Sequence, residues 1–370
     1  MFEIKSSKKI FHANKIEKIY DSIVDGYYPY VVRKTTDNGI RGYIKEDTKF
    51  LNDPDTITFA QDTFSVFYQK DYYFTGNKVK ILTPKIKVKE KSCLRFICCC
   101  IQNYLQRYSW GVGSTVKSIS DIKFDIPSKN GKIDFDFMES FIAELDAQRI
   151  AELDAYLTVA GLKDFELSFD EKKVLNDLGK FDWQEFKIGD LFERISTKKL
   201  PYKAKELPRE PKGEYILPVL TSSFMNQGLN YYAPKTEATV LKNVISIPSN
   251  SDVYRSYYQS RDFSVLSDAY AIKWKDKNNK LSPNGYLFSV SCINKVTDLP
   301  IYSYKNKLGG WNVVRKKHIK LPVNNNGGID FTYMETLTQA IKKLVIKDVV
   351  LYADKKIAAT KKVVEKNKAN

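Results

Sequence analysis

The sequence predicts a mixed α/β (α+β) protein, two copies of one unit in pseudo-twofold tandem repeat, separated by two long antiparallel helices that form a coiled coil. Three observations predict this. A nine-residue motif recurs, Gly131-Lys132-Ile133-Asp134-Phe135-Asp136-Phe137-Met138-Glu139 against Gly327-Gly328-Ile329-Asp330-Phe331-Thr332-Tyr333-Met334-Glu335, with six of nine positions identical. Shorter motifs precede both copies in the same order. A helical apolar pattern follows each copy.

The elements follow in chain order. Phe2-Glu3-Ile4 is aligned with Phe186-Lys187-Ile188 as the start of each unit. Pro29, Asn38-Gly39-Ile40 and Tyr43 recur as Pro218, Gln227-Gly228-Leu229 and Tyr232, all at an offset of 189. Residues 28–32 and 215–220 are apolar runs of β-formers, and Asn38-Gly39 is a tight-turn dipeptide. Residues 56–59, 244–247 and 79–81 read as short strands with apolar/polar alternation. Phe67-Tyr68-Gln69 recurs as Tyr257-Tyr258-Gln259. Residues 93–108 read as a helix apolar nearly all round, with Cys98, Cys99 and Cys100 as small buried residues. Residues 122–127 and 319–323 are strand-like, each with one proline.

Asp134 and Asp330 sit where helix N-caps belong. Behind them run two stripes: Met138, Phe141, Leu145, Ile150, Leu153 and Leu157, then Met334, Leu337, Ile341, Leu344 and Leu351. Stripes this long outrun a small domain, so the two helices are expected to pack on each other as an antiparallel pair rather than each on its own domain. Residues 165–175 read as one short helix, and 361–368 as a fraying end. The resulting segments are 1–133, 134–182, 183–329 and 330–370.

Composition points to a polyanion. Lys and Arg total 60 against 44 Asp and Glu, a net charge of +16. The chemistry of an enzyme is missing. His12 and His318 stand at no metal-ligand spacing, the five cysteines form neither a zinc set nor a disulfide framework, and no metal site is expected. Gly111-Val112-Gly113-Ser114-Thr115 lacks the lysine of a phosphate loop and reads as a flexible loop. No base-methylation Asn-Pro-Pro-Tyr motif and no Gly-x-Ser-x-Gly elbow occurs; Asp53-Pro54-Asp55 is a turn. The polar start, Met1-Phe2-Glu3-Ile4-Lys5, and the lack of any apolar run near the roughly 20 residues of a membrane helix suggest a cytoplasmic protein with no membrane partner.

DNA reading needs cations for phosphates and fixed donor–acceptor patterns for bases. The strand-and-loop half of the first copy offers Arg33, Lys34, Thr36, Asn38, Arg41, Tyr43 and Lys45. The second offers Thr221, Ser222, Ser223, Asn226, Asn230, Tyr231, Asn250, Arg255, Tyr257 and Arg261. The copies share glycine, proline, apolar anchors and helix start, but not these polar residues. Two further readings stand beside DNA recognition: a stand-alone nucleic-acid enzyme with an unrecognised site, and a helical adaptor for protein partners.

The pattern resembles the specificity subunit of Type I restriction–modification systems and the similar Type IIB subunit. The resemblance spans essentially the whole chain. It is carried by Phe186-Lys187-Ile188-Gly189-Asp190-Leu191-Phe192, by Asp37-Asn38-Gly39-Ile40-Arg41-Gly42-Tyr43-Ile44, and by the duplicated helix start. It implies two target-recognition domains, each reading one half of a bipartite asymmetric site on double-stranded DNA, held apart by the spacer helices. It also implies a chain without catalysis or cofactor of its own. Two methyltransferase subunits would dock on it and bring S-adenosylmethionine, with restriction subunits joining in a Type I complex. The first copy departs from the opening motif, with Lys5-Ser6-Ser7-Lys8 in place of its Gly-Asp-Leu-Phe ending. A helix over 134–159 would be roughly 39 Å long at about 1.5 Å per residue, close to one DNA turn of roughly 34–36 Å. Half-sites centred about 10 base pairs apart are therefore expected.

Overall fold

A computed structural model describes residues 1–88, 90–105 and 119–369, apart from the side chains of 360–369. The glycine-rich stretch 111–115 and residues 106–108 of the expected helix lie outside the described residues. The chain divides into two compact units, Met1–Tyr156 with the residues from Ala353 onward, and Leu157–Tyr352.

The first unit is built on two small sheets. Its strands are β1 (Phe2–Ser6), β2 (Tyr28–Val31), β3 (Ile40–Ile44), β4 (Thr56–Ala60), β5 (Val66–Gln69), β6 (Phe74–Thr75) and β7 (Val79–Pro84). One sheet runs β1-β7-β4-β5, all antiparallel; the other runs β3-β2-β6. Helix α1 (Ser92–Leu105) packs Cys93, Ile97, Cys98, Ile101 and Leu105 into the same core as Ile57 and Phe59. Strand β4 is buried along its whole length, not on alternate residues as its sequence suggests. It is a central strand with ladders on both sides, and α1 shares its core. Helix α1 is buried on one face only: Cys99 is exposed and Cys100 half-buried, while burial pushes the Cys98 thiol up to about 12. The Cys98 position is thus a packing site, and the neighbouring cysteines are not.

A short hairpin, β8 (Ser128–Lys129) and β9 (Lys132–Ile133), delivers the chain to α2 (Phe135–Val159). Asp134 caps this helix, its Oδ1 accepting from the Phe137 amide at 3.0 Å. Met138 is fully buried in the unit's core, worth about 1.5–3 kcal/mol of apolar burial. Arg95 on α1 forks onto Asp146 of α2 with bonds of 2.6 and 2.8 Å.

The second unit repeats this order. Helices α3 (Phe169–Asn176) and, after β10 (Trp183–Lys187), α4 (Ile188–Leu191) precede it. Then come β11 (Phe192–Arg194), β12 (Tyr215–Leu220), β13 (Leu229–Pro234), β14 (Val244–Pro248), β15 (Tyr257–Gln259), β16 (Ser264–Val265) and β17 (Ala269–Trp274). Helices α5 (Pro283–Thr297) and α6 (Trp311–Val314), strand β18 (His318–Pro322) and helix α7 (Phe331–Ala369) complete it. Its sheets, β11-β17-β14-β15 and β13-β12-β16, match the first unit's strand for strand. In both copies the parallel partner of the proline-bearing strand begins one residue after the proline. The missing N–H therefore removes no bond to that neighbour. Asp330 caps α7 as Asp134 caps α2, accepting from the Tyr333 amide at 2.9 Å.

Two expectations are corrected. In the first unit Phe2 pairs with Pro84 at the end of β7, and in the second Phe192 pairs with Trp274 at the end of β17. Phe2-Glu3 thus corresponds to Phe192-Glu193, not to Phe186-Lys187. The strand that holds Phe186 pairs with β18 in a separate two-stranded sheet. The first-unit counterpart of β18, residues 122–127, forms no strand: no described strand lies beside it to complete a ladder.

The apolar stripes also shift. In α2, Met138, Ile142 and Leu157 are buried, and Leu145, Ile150 and Leu153 half-buried, but Phe141 is exposed and stacks near Phe137 and Phe96. In α7, Met334 and Leu337 are buried, whereas Ile341, Leu344 and Leu351 are about half exposed. Position 343 is buried instead, although it is a lysine: Lys343 pairs with Asp164 at 2.8 Å and Glu171 at 3.2 Å, and donates to the Glu166 carbonyl at 2.8 Å. A buried cation needs such partners, and the segment entering α3 supplies them. That segment is itself fixed by a capping box between Ser168 and Glu171.

Candidate nucleic-acid interface

In both units the strand bearing the proline runs into an exposed turn that leads to the next strand. In the first, Asp37, Asn38 and Gly39 all have positive φ, at 50°, 54° and 74°. In the second, Asn226, Gln227 and Gly228 do, at 48°, 55° and 93°. Glycine is needed at the last position for conformation and for space. A Cβ on Gly39 would lie 3.2 Å from Phe67 and 3.3 Å from Val31, and one on Gly228 3.2 Å from the Thr221 carbonyl. Each turn presents four exposed residues and then the buried glycine: Thr35-Thr36-Asp37-Asn38 in one, Phe224-Met225-Asn226-Gln227 in the other.

The turns are anchored from the adjoining sheet. The buried Gln69 side chain donates to the Asn38 carbonyl and to the Thr58 hydroxyl, each at 3.1 Å. Gln259 donates to the Gln227 carbonyl at 3.2 Å and to the Ser246 hydroxyl at 3.0 Å. Those hydroxyls in turn donate to the Phe67 and Tyr257 carbonyls. None of these four side chains stood among the expected site residues. Their signal was the Tyr-Gln pair repeated at 68–69 and 258–259, with a hydroxyl residue inside each apolar strand at 58 and 246.

Of the first copy's candidates, Arg33, Lys34 and Arg41 come together along one groove of about 650 Å³, beside Phe11 and His12. Arg33 pairs with Asp62 and Lys34 with Asp37. The Lys34 ammonium holds the Asp37 carboxyl below its usual range. Burial raises Asp62, but Lys78 and Arg33 outweigh it and hold that carboxyl low as well. Both acids are therefore charged at neutral pH, and both cations are ones that could exchange a carboxylate for a phosphate. Thr36 and Asn38 sit on the turn, and Lys45 is exposed just past β3. Tyr43 lies elsewhere, in a second groove of about 820 Å³ with Tyr28, Pro29, Tyr68 and Lys70.

The second copy has the equivalent of that second groove, about 440 Å³, lined by Pro218, Tyr232 and Tyr258 and including Asn226 and Arg261. Its other candidates are dispersed. Ser222 donates to Asp268 through both amide and hydroxyl; Asn230 donates to Thr221 at 2.7 Å, and the Thr221 and Ser223 hydroxyls accept loop amides. These four hold the loop's own shape, because a half-buried carboxylate and a tight turn draw nearby donors. Tyr231 packs inward beside Val219 and Ala233. Arg255 donates to Asp298 at 2.7 Å, Tyr257 to the Phe224 carbonyl at 3.0 Å, and Asn250 is half-buried.

The arrangement offers hydrogen-bonding turns and cationic grooves. Among the described residues, no three His, Cys, Asp or Glu are placed to hold a metal ion, and no helix is long and apolar enough to cross a membrane.

The chain is similar to the specificity subunit S.BcgI of a Type II restriction enzyme from Heyndrickxia coagulans, 25% identical over 328 residues, covering 86% of this chain and 87% of that one. Among solved structures it is similar to the S subunit of a Type I restriction–modification system from M. genitalium, at 13% identity and a TM-score of 0.49, covering 99% of this chain and 92% of that one. It is also similar to the HsdS subunit from Thermoanaerobacter tengcongensis, at 13% identity and a TM-score of 0.30, covering 96% and 88%. The family model for the Type I restriction modification DNA specificity domain matches twice, over residues 1–155 and 180–352. The chain therefore belongs to the family of Type I restriction–modification DNA specificity domains and carries two of them.

Proposed function

We propose that this chain is the DNA-specificity subunit of a restriction–modification complex, and that its two units read the two halves of a bipartite asymmetric site. One observation carries the reading. The two units keep the same strand order, turn shape and anchoring side chains, while the exposed turn residues differ at every position from 35–38 to 224–227. Equal scaffolds with unequal contact residues suit two different half-sites, not a palindrome. The excess of 60 basic over 44 acidic residues supplies the attraction to phosphate.

In this reading α2 and α7 form the antiparallel spacer, and partner chains perform methylation and cleavage in the cytoplasm. Two methyltransferase subunits, which bind S-adenosylmethionine, dock on the exposed apolar side chains of these helices, Phe141, Ile341, Leu344 and Leu351 among them. Restriction subunits join in a Type I assembly. Helix α2 has 25 residues, roughly 38 Å at about 1.5 Å per residue, which matches one turn of DNA at roughly 34–36 Å.

Methylome sequencing of a host carrying this chain and its methyltransferase is the test. The expected result is a methylated motif of two unlike halves centred about 10 base pairs apart. A single contiguous or palindromic motif overturns the proposal.

A further inference from the structure

The relay beneath the two turns repeats more faithfully than the turns it supports. Gln69 and Gln259 occupy the same place at the ends of β5 and β15, Thr58 and Ser246 the same place in β4 and β14. In each unit one amide group bridges a turn carbonyl and a strand hydroxyl. Gln69 is 3% exposed and Thr58 2%, so neither can reach a ligand. Their bonds end on the backbone of Asn38, whose side chain is exposed and donates back to the Tyr68 carbonyl at 3.0 Å. In the second unit the far end of the turn is tied as well, by the Tyr257 hydroxyl to the Phe224 carbonyl at 3.0 Å.

We infer that Gln69 and Gln259 are positioning residues for specificity: each locks one left-handed turn against its sheet, so that the turn's exposed side chains meet the bases of one half-site in a fixed register. The inference rests on the reading of the chain as a two-part DNA reader and deepens it. The physical basis is the cost of the turn. Two consecutive non-glycine residues at positive φ are unfavourable without outside support. The side-chain amide, buried in Gln69 and half-buried in Gln259, supplies that support by bridging a turn carbonyl and a strand hydroxyl. Contact residues can then vary between copies while the anchor does not.

The test uses the full chain in complex with its methyltransferase subunit. The probes are three duplexes: the motif recovered by methylome sequencing, the same motif with the first half scrambled, and with the second half scrambled. The ratio of Kd values measures discrimination at each half. Gln69→Leu is expected to reduce discrimination at one half about tenfold, the weight of a lost buried hydrogen bond, and to leave the other half within twofold. Gln259→Leu is expected to do the reverse. Thr58→Val and Ser246→Ala, milder changes that remove only the hydroxyl partner, are expected to act on the same halves about threefold, and they decide the matter if the leucine variants do not fold. A merely structural role would weaken both halves together or lower stability without changing either ratio. Folded variants with wild-type ratios at both halves, or with equal losses at both, overturn the inference. A wild-type complex that binds all three duplexes alike overturns the two-part reading itself, and the inference with it.

Discussion

Replacing Arg33, Lys34 and Arg41 together by alanine is expected to lower the affinity of the complex for duplex DNA about a hundredfold at roughly 0.1 M salt. The three line one groove beside an exposed turn. Each cation placed on a phosphate contributes about 0.9 to the slope of log K against log salt. Arg33 and Lys34 first leave Asp62 and Asp37, which discounts their share, so a loss of about 2 in slope is expected. Titrations at several salt concentrations check both figures. All three side chains sit near the surface, so folding stability should change by no more than about 0.5 kcal/mol. A slope identical to the wild type's would remove this groove from the DNA contact.

Lys343→Ala is expected to cost the second unit about 2–4 kcal/mol in a urea unfolding titration. The lysine side chain is 10% exposed and that of its partner Glu171 8%, so the alanine leaves an uncompensated buried carboxylate. Asp164, 70% exposed, adds little by comparison. The double variant Lys343→Met, Glu171→Gln removes both charges and should recover a large part of the loss. The pH dependence has a definite sign. The bond from Lys343 holds the Asp164 carboxyl below its usual range, so its stabilisation is present above the unfolded value and lost as pH falls through the folded one. Bonding to Asp164, opposed by burial and reinforced by Glu171, raises the Lys343 ammonium. Its contribution is complete below the unfolded value and lost only as pH rises through the folded one. The clamp is therefore flat through neutrality, with the small Asp164 share lost on the acid side and the Lys343 share on the alkaline side. Stability of Lys343→Ala equal to wild type at pH 7 would contradict the assignment.

These two clusters show different degrees of legibility. Gly39 and Gly228 and the caps Asp134 and Asp330 were readable because each acts within a few residues of itself: a left-handed turn, a helix start. Arg33, Lys34 and Arg41 were found through charge. Thr221, Ser222, Ser223 and Asn230 looked the same in one dimension, but Asp268 lies 46 residues from Ser222 and draws it inward. The anchors Gln69 and Gln259 were visible as repeated letters, and their role was not, since the carbonyls they hold lie 31 and 32 residues upstream.

The sequence by itself determined the duplication, the two long-helix starts and the positions of the two turns. Local propensity and pattern suffice for these, because they depend on near neighbours along the chain. Only the tertiary structure decided that Phe2 matches Phe192, that residues 122–127 stay out of a ladder, and that Lys343 lies buried while Ile341 and Leu344 face outward. Each of those outcomes turns on a distant partner: a strand that closes a ladder, or a carboxylate that makes a buried cation tolerable. Such partners are chosen by the closed fold, in which residues 164 and 343 meet, and no window of sequence contains them both.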